Sequence, residues 1–121
     1  MPRRLMPAEP GEVRAALAAR ATGTAGKAEL KLLTKHFLAL LQEIAPGNSV
    51  EVRVPPYAAV QVIEGVRHTR GTPPAVVEIT PDVWLALATG ESTWDAETAA
   101  GRVHASGERS DLGVWLPLVG R

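Results

Sequence analysis

Between Lys27 and Ala45 the apolar residues recur three and four positions apart, as Leu30, Leu33, Phe37, Leu40, Leu41 and Ile44. That period predicts an amphipathic helix with Glu29, Lys31, Lys35, Gln42 and Glu43 on its polar side. An earlier stretch, GEVRAALAARA from Gly11 to Ala21, is built of strong helix formers, and its apolar stripe is thin: Val13, Ala16 and Leu17. TGTAG at 22–26 separates the two helices, and Pro46-Gly47-Asn48 ends the second and turns the chain.

From there the period falls to two. SVEVRV (49–54) places Val50, Val52 and Val54 on one face and Glu51 and Arg53 on the other, as a half-buried strand does. Pro55-Pro56 breaks the run, since neither residue can donate to a ladder. AAVQVIE (58–64), with Val60 and Val62 on one face, reads as a second strand, and AVVEIT (75–80), with Val77 and Ile79 inward and Glu78 outward, as a third. Thr80-Pro81-Asp82 then opens a helix, with Thr at the N-cap, Pro in the first turn and Asp near the positive end. This helix carries VWLALA and stops at Thr89-Gly90. Ser92 or Thr93 caps a short helix that Gly101 ends, RVHASG (102–107) is a fourth strand, and a final short helix is expected from Asp111 to Leu116.

The order α-α-β-β-β-α-α-β-α predicts an α+β fold: a mixed or antiparallel sheet of four to five strands with helices packed on one face. The length of 121 residues favours one domain. Residues 1–10, rich in proline and with paired arginines, are expected to be a flexible tail to a domain spanning 11–121. That domain has a helical part at 11–46 and a sheet-bearing part at 49–118.

Composition removes several functions. Lys plus Arg and Asp plus Glu number 13 each, so no overall field draws nucleic acid or an anionic membrane. The absence of cysteine excludes disulfides, thiolate metal sites and thiol catalysis. No apolar run approaches the roughly 18–20 residues of a membrane span, and MPRRLMPAEPGEV lacks a continuous apolar signal core. A soluble, cytoplasmic protein without stable membrane insertion is expected. His36, His68 and His104 have no metal-binding spacing, so no metal is expected. Ser106 lies in Ala-Ser-Gly-Glu rather than in a nucleophile elbow, so no catalytic residue is assigned and the protein is expected not to be an enzyme.

The run from Ile79 to Leu118 is similar to the closing segment of sterol carrier protein type 2 domains. Leu85, Leu87 and Gly90 match the Leu-x-x-Gly end of an apolar helix. Ala99, Gly101 and Val103 match the step into a strand, and Gly107, Leu112, Leu116 and Leu118 match the closing apolar segment. From Val50 to Leu118 the chain resembles an actinobacterial sterol-carrier-like branch more closely still, through VEVRVPPYAAVQ, RHTRGTPP and WLALATG. The resemblance implies a non-enzymatic module, without cofactor, that carries a fatty acid, acyl-CoA or sterol-like ligand in an apolar tunnel between sheet and helices. The candidate lining is Val60, Val62, Val77, Ile79 and Val103 from the sheet and Trp84, Leu85, Leu87, Trp115 and Leu116 from the helices. Apolar periodicity of this kind normally means that such residues fill the core, and Trp84 and Trp115 are the foremost candidates for a cavity wall.

In the loop RHTRGTPP, Arg67, His68 and Arg70 are candidates for holding an anionic head group, because a guanidinium fork suits carboxylate and phosphate. The same charges could instead pair with Glu64, Glu78 or Asp82 and stiffen a strand connection. Two other readings stay open: an accessory domain related to mycothiol-dependent isomerases, and a structural or interaction domain with a filled core. The latter would use the helix at 13–21 as a partner surface, for instance in a homodimer.

Overall fold

The computed structural model describes residues 4–65, 75–106 and 111–119. Helices α1 (Pro10–Ala21) and α2 (Lys27–Ile44) precede strands β1 (Val50–Val54), β2 (Ala58–Val62) and β3 (Ala75–Ile79). Then come α3 (Pro81–Thr89), α4 (Trp94–Ala99) and β4 (Val103–Ser106). The strands form one sheet in the order β2-β1-β3-β4. β2 and β4 run antiparallel to their neighbours, and β1 and β3 are parallel. The fold is α+β with an open four-stranded mixed sheet, as the change of hydrophobic period predicts.

The alternation along each strand decides which face is covered. Val50, Val52, Val54, Val60, Val62, Val77 and Ile79 are buried on the helix side, whereas Arg53, Ala59, Glu78 and His104 are exposed on the other. On that outer face Arg53 registers beside Glu78, and Glu78 beside His104. Glu51 and Arg53, two apart on β1, also form an ion pair.

Helix α2 is the centre of the helical layer. It touches α1, α3 and β2, which is why its apolar residues extend beyond a single stripe: Leu33, Phe37, Leu38, Ala39 and Leu41 are all buried. Trp84 of α3 is fully buried, and its indole Nε1–H donates to the Thr34 carbonyl of α2 at 3.3 Å. A large apolar ring and one satisfied donor thereby join the two helices. The thin stripe of α1 is used within the chain, with Val13 and Ala16 buried in the common core.

Residues 4–9, read from sequence as part of a tail, hold α2 at two points. The Leu5 N–H donates to Gln42 Oε1 at 3.2 Å and the Ala8 N–H to His36 Nδ1 at 3.0 Å.

Two local expectations are corrected. The second strand does not run to Glu64: Ile63 takes a left-handed φ of 68°, leaves the ladder, and donates its N–H to the Ala45 carbonyl at 2.7 Å. The helix expected from Asp111 to Leu116 is a single 3-10 turn, Gly113–Trp115. Asp111 Oδ1 accepts the Gly113 N–H at 2.7 Å, an Asx-type bond that competes with helix. Pro117 then forces Leu116 into extended backbone at φ −110°, ψ 147°. Beyond the turn, the chain is fastened to the end of α3 by the Leu118 N–H, which donates to the Ala88 carbonyl at 2.8 Å.

Candidate functional site

The ends of the sheet–helix layer differ. At the end where β1 and β3 begin, backbone groups close it. The Ser49 N–H donates to the Ile63 carbonyl at 3.1 Å, and the Ala75 N–H donates to the Ser49 carbonyl at 3.0 Å. The Ser49 hydroxyl adds a second bond to the Ile63 carbonyl at 2.6 Å. Gly47, at φ 147°, lies so close beneath Ile63 that a Cβ there would sit 2.2 Å from its carbonyl carbon.

At the opposite end, where β1 and β3 finish and β4 begins, the layer opens into a groove of about 380 Å³. Pro55, Ile79 and Val83 supply its apolar wall, while Arg102, His104 and Glu78 stand on its rim. A volume of this size lies in the lower part of the range of about 300–1,000 Å³ occupied by small-molecule sites.

Arg102 is held there by the way α4 ends. Gly101, at φ 74°, donates its N–H to the Thr98 carbonyl at 3.1 Å, and Arg102 donates its N–H to the Glu97 carbonyl at 3.0 Å. This pair of bonds is a Schellman closure, which needs the left-handed glycine and brings the residue after it back over the helix's last full turn. The side chains of Glu97 and Arg102 therefore meet. Arg102 Nε and Nη2 donate to Glu97 Oε1 and Oε2 at 2.5 and 3.2 Å, and the Ser92 hydroxyl donates to Oε2 at 2.5 Å. The carboxylate side chain is 7% exposed and the guanidinium 57%. Hydrogen bonds from Arg102 and then Ser92 hold the Glu97 carboxyl below the usual carboxylate range, and the same contact raises Arg102. Thr93, the other capping candidate, does cap α4: its Oγ1 accepts the Ala96 N–H at 3.1 Å.

Of the predicted lining, Val60, Val62, Val77, Ile79 and Val103 are buried in one continuous core with Trp84, Leu85 and Leu87. Trp115 and Leu116 are half-buried against that core. Ile79 alone of the ten reaches the 380 Å³ groove. Leu116 lines a different open groove, of about 460 Å³, between the end of α3 and the closing segment. That second groove sets Trp94, Val114, Leu116 and Pro117 beside Ser92, Thr93, Asp95 and Asp111. The head-group candidates Arg67, His68 and Arg70 lie outside the described residues.

Sequence reasoning passed over the Ser92–Glu97–Arg102 chain. A signal for it was present, an acidic residue and an arginine astride the stop glycine in Glu97-Thr98-Ala99-Ala100-Gly101-Arg102, at the spacing a Schellman closure brings together.

His36 is a second titratable group with a defined partner. Since its Nδ1 accepts the Ala8 N–H, the neutral ring carries its proton on Nε2. Burial pushes the imidazole below its ordinary value, and Glu43 partly offsets that. Among the described residues no group of three or more His, Asp or Glu side chains could hold a metal ion, and no helix is long and apolar enough to cross a membrane.

No curated protein matches the chain. A family model described as "Bacterial SCP ortholog" matches residues 26–118, from the residue before α2 through the closing segment, leaving α1 outside. The covered sheet face, the Gly101-x-Val103 step into β4 and this match agree, and the chain belongs to the family of bacterial sterol carrier protein orthologs.

Proposed function

We propose that this protein binds a hydrophobic small molecule without transforming it, and that the ligand enters at the open end of the sheet–helix layer. The observation that carries the reading is the groove walled by Pro55, Ile79 and Val83, in which Ile79 is the one residue of the predicted lining. The family points the same way, since its fold is associated with lipid binding. Each methylene removed from water contributes about 0.8 kcal/mol, so a chain of about ten carbons has enough gross driving force for micromolar binding after ordering costs.

Native mass spectrometry before and after incubation with a mixture of fatty acids and neutral lipids tests this. A retained one-to-one adduct is expected, and Val83→Asp, which puts a carboxylate in the apolar wall, should remove it while circular dichroism stays unchanged. If no adduct forms with any lipid, the reading fails.

The alternative reading, a filled-core structural or interaction domain, is favoured by one observation. Val52, Val62, Val77, Trp84 and Leu85 show 0% exposure, so the layer is closely filled between the two ends. A ligand must then lie in the groove or displace part of that packing. The reading of α1 as a partner surface loses its motive, because its apolar stripe lies against α2.

A further inference from the structure

We infer that α4 is a hinged flap between two grooves, that the Glu97 carboxylate is the latch holding it shut, and that ligand enters and leaves through the unlatched state. Gating of this kind rests on the ligand-binding reading and adds the regulation of that same groove.

Ser92, Thr93, Trp94 and Asp95, at the start of α4, line the 460 Å³ groove, and Gly101 and Arg102, just past its end, line the 380 Å³ groove. A helix of six residues is far below the roughly 12–15 that persist unaided, so α4 depends on what grips it. Its main packing partner is β4, the strand at one edge of the sheet. On either side of α4 the chain passes through a glycine with positive φ, Gly90 at 83° and Gly101 at 74°. Glycine turns there with the least steric resistance, and a few such positions suffice for a hinge.

Glu97 spans both hinges. On the Gly90 side, the Ser92 N–H donates to the Ala86 carbonyl of α3 at 3.1 Å, and the Ser92 hydroxyl donates to Glu97. On the Gly101 side, Arg102 leads directly into β4 and donates to both oxygens of the same carboxylate. One buried side chain of α4 is thus bonded to a residue held by α3 and to a residue held by the sheet. A buried ion pair adds little net stability, because the loss of water opposes its attraction, yet it defines one arrangement. That combination suits a latch: the closed position is specified, and opening costs much less than global unfolding. Trp94 anchors the start of α4 against the closing segment, its Cδ1 lying 3.4 Å from where a Cβ on Gly113 would be. The end free to swing is therefore the one beside Gly101 and the groove walled by Pro55, Ile79 and Val83.

Hydrogen exchange of the full-length protein, followed residue by residue by NMR, tests the hinge without any ligand. The Ala100 and Arg102 amides, bonded to the Ala96 and Glu97 carbonyls, should exchange faster than those of Phe37 and Leu38 in the buried middle of α2 and at a rate insensitive to low urea. Glu97→Gln should accelerate Ala100 and Arg102 about tenfold or more, the scale of a lost hydrogen bond to a charged group. Stopped-flow binding of a neutral probe, dansyl-labelled methyl undecanoate, then reads the gating. Association and dissociation should both rise about tenfold in Glu97→Gln. Ser92→Ala, which keeps the ion pair, should raise both rates by a smaller factor and serves should Glu97→Gln fail to fold.

If Ala100 and Arg102 exchange no faster than Phe37 and Leu38, α4 opens only with the whole fold and the flap is refuted. Exchange that is fast but indifferent to both substitutions removes Glu97 as the latch. Binding rates that stay constant while exchange accelerates, or a change in one rate constant alone, overturn the gating. If the probe does not bind although α4 opens selectively, the ligand-binding reading fails and takes the gating with it, whereas binding without selective opening removes the flap alone.

Discussion

The two ends of the sheet–helix layer are built from the same strands and do opposite things. Where β1 and β3 begin, the main chain is drawn tight: Ala45, Ser49, Ile63 and Ala75 exchange backbone bonds, and Gly47 lets two segments approach more closely than any side chain would allow. Where β1 and β3 end, proline follows β1 and a helix start follows β3, and the space between is bounded by side chains. Backbone bonds close the first end, and side chains bound the second. Changes at the closed end should therefore appear in stability, and changes at the open end in affinity.

The largest expected effect is at Gly47. A methyl group there meets Ile63 backbone at 2.2 Å and requires a φ of 147°, so Gly47→Ala should cost about 3 kcal/mol or more in urea unfolding. A loss under about 1 kcal/mol would mean that the closed end yields readily, and the contrast would collapse. Trp84→Phe, between the two ends, removes the bond to the Thr34 carbonyl and part of a fully buried ring, and should cost about 2 kcal/mol. Ser49→Ala deletes one of the bonds accepted by the Ile63 carbonyl and should cost about 1 kcal/mol, with ligand affinity unchanged.

A smaller effect concerns acid. The folded-state pKa of His36 lies below its ordinary value of 6.5, so the unfolded chain takes up the proton first. Stability from the neutral ring is present above pH 6.5 and declines as pH falls through the folded value. Protonation also ends acceptance of the Ala8 N–H. The protection factor of the Ala8 amide, its exchange rate relative to the unprotected rate at the same pH, should fall on acidification in the wild type and be low throughout in His36→Ala.

The smallest effect belongs to Arg20. Its pair with Glu91 joins α1 to the chain after α3 and reverses the exposure of the Arg102 pair, with the arginine side chain 20% exposed and the carboxylate 55%. Arg20→Ala should cost less than about 1 kcal/mol and weaken further in significance at high salt. A larger loss would show that α1, although outside the family match, is integral to the fold.

The strands and main helices were legible because their apolar residues follow one period at a time. Val50-Glu51-Val52-Arg53-Val54 states both its conformation and its buried face. The final helix was misread because Leu112, Val114, Trp115 and Leu116 have helical composition, while Asp111 and Pro117 act on two backbone positions only. Ile63 was misread because its reversal is imposed by Ala45 and Ser49, which lie far away in sequence. The candidate site was legible only in part. Periodicity identifies which residues turn inward, and Ile79 was among them, but it cannot distinguish a residue inside the core from one at its mouth. Arg102 was missed because its importance comes from the burial of Glu97, which composition does not record.

The sheet order has a practical consequence for handling the protein. β2 lies at one end of the sheet and carries no charged residue along Ala58–Val62, while charged side chains and proline are the usual guards against edge-to-edge pairing. With Lys plus Arg equal to Asp plus Glu and a calculated isoelectric point of about 6.8, repulsion between molecules is weakest near neutrality. Concentrated samples should therefore be most prone to precipitate close to pH 7 and more tractable a unit or two above it, and Gln61→Lys should widen that window by charging the edge strand.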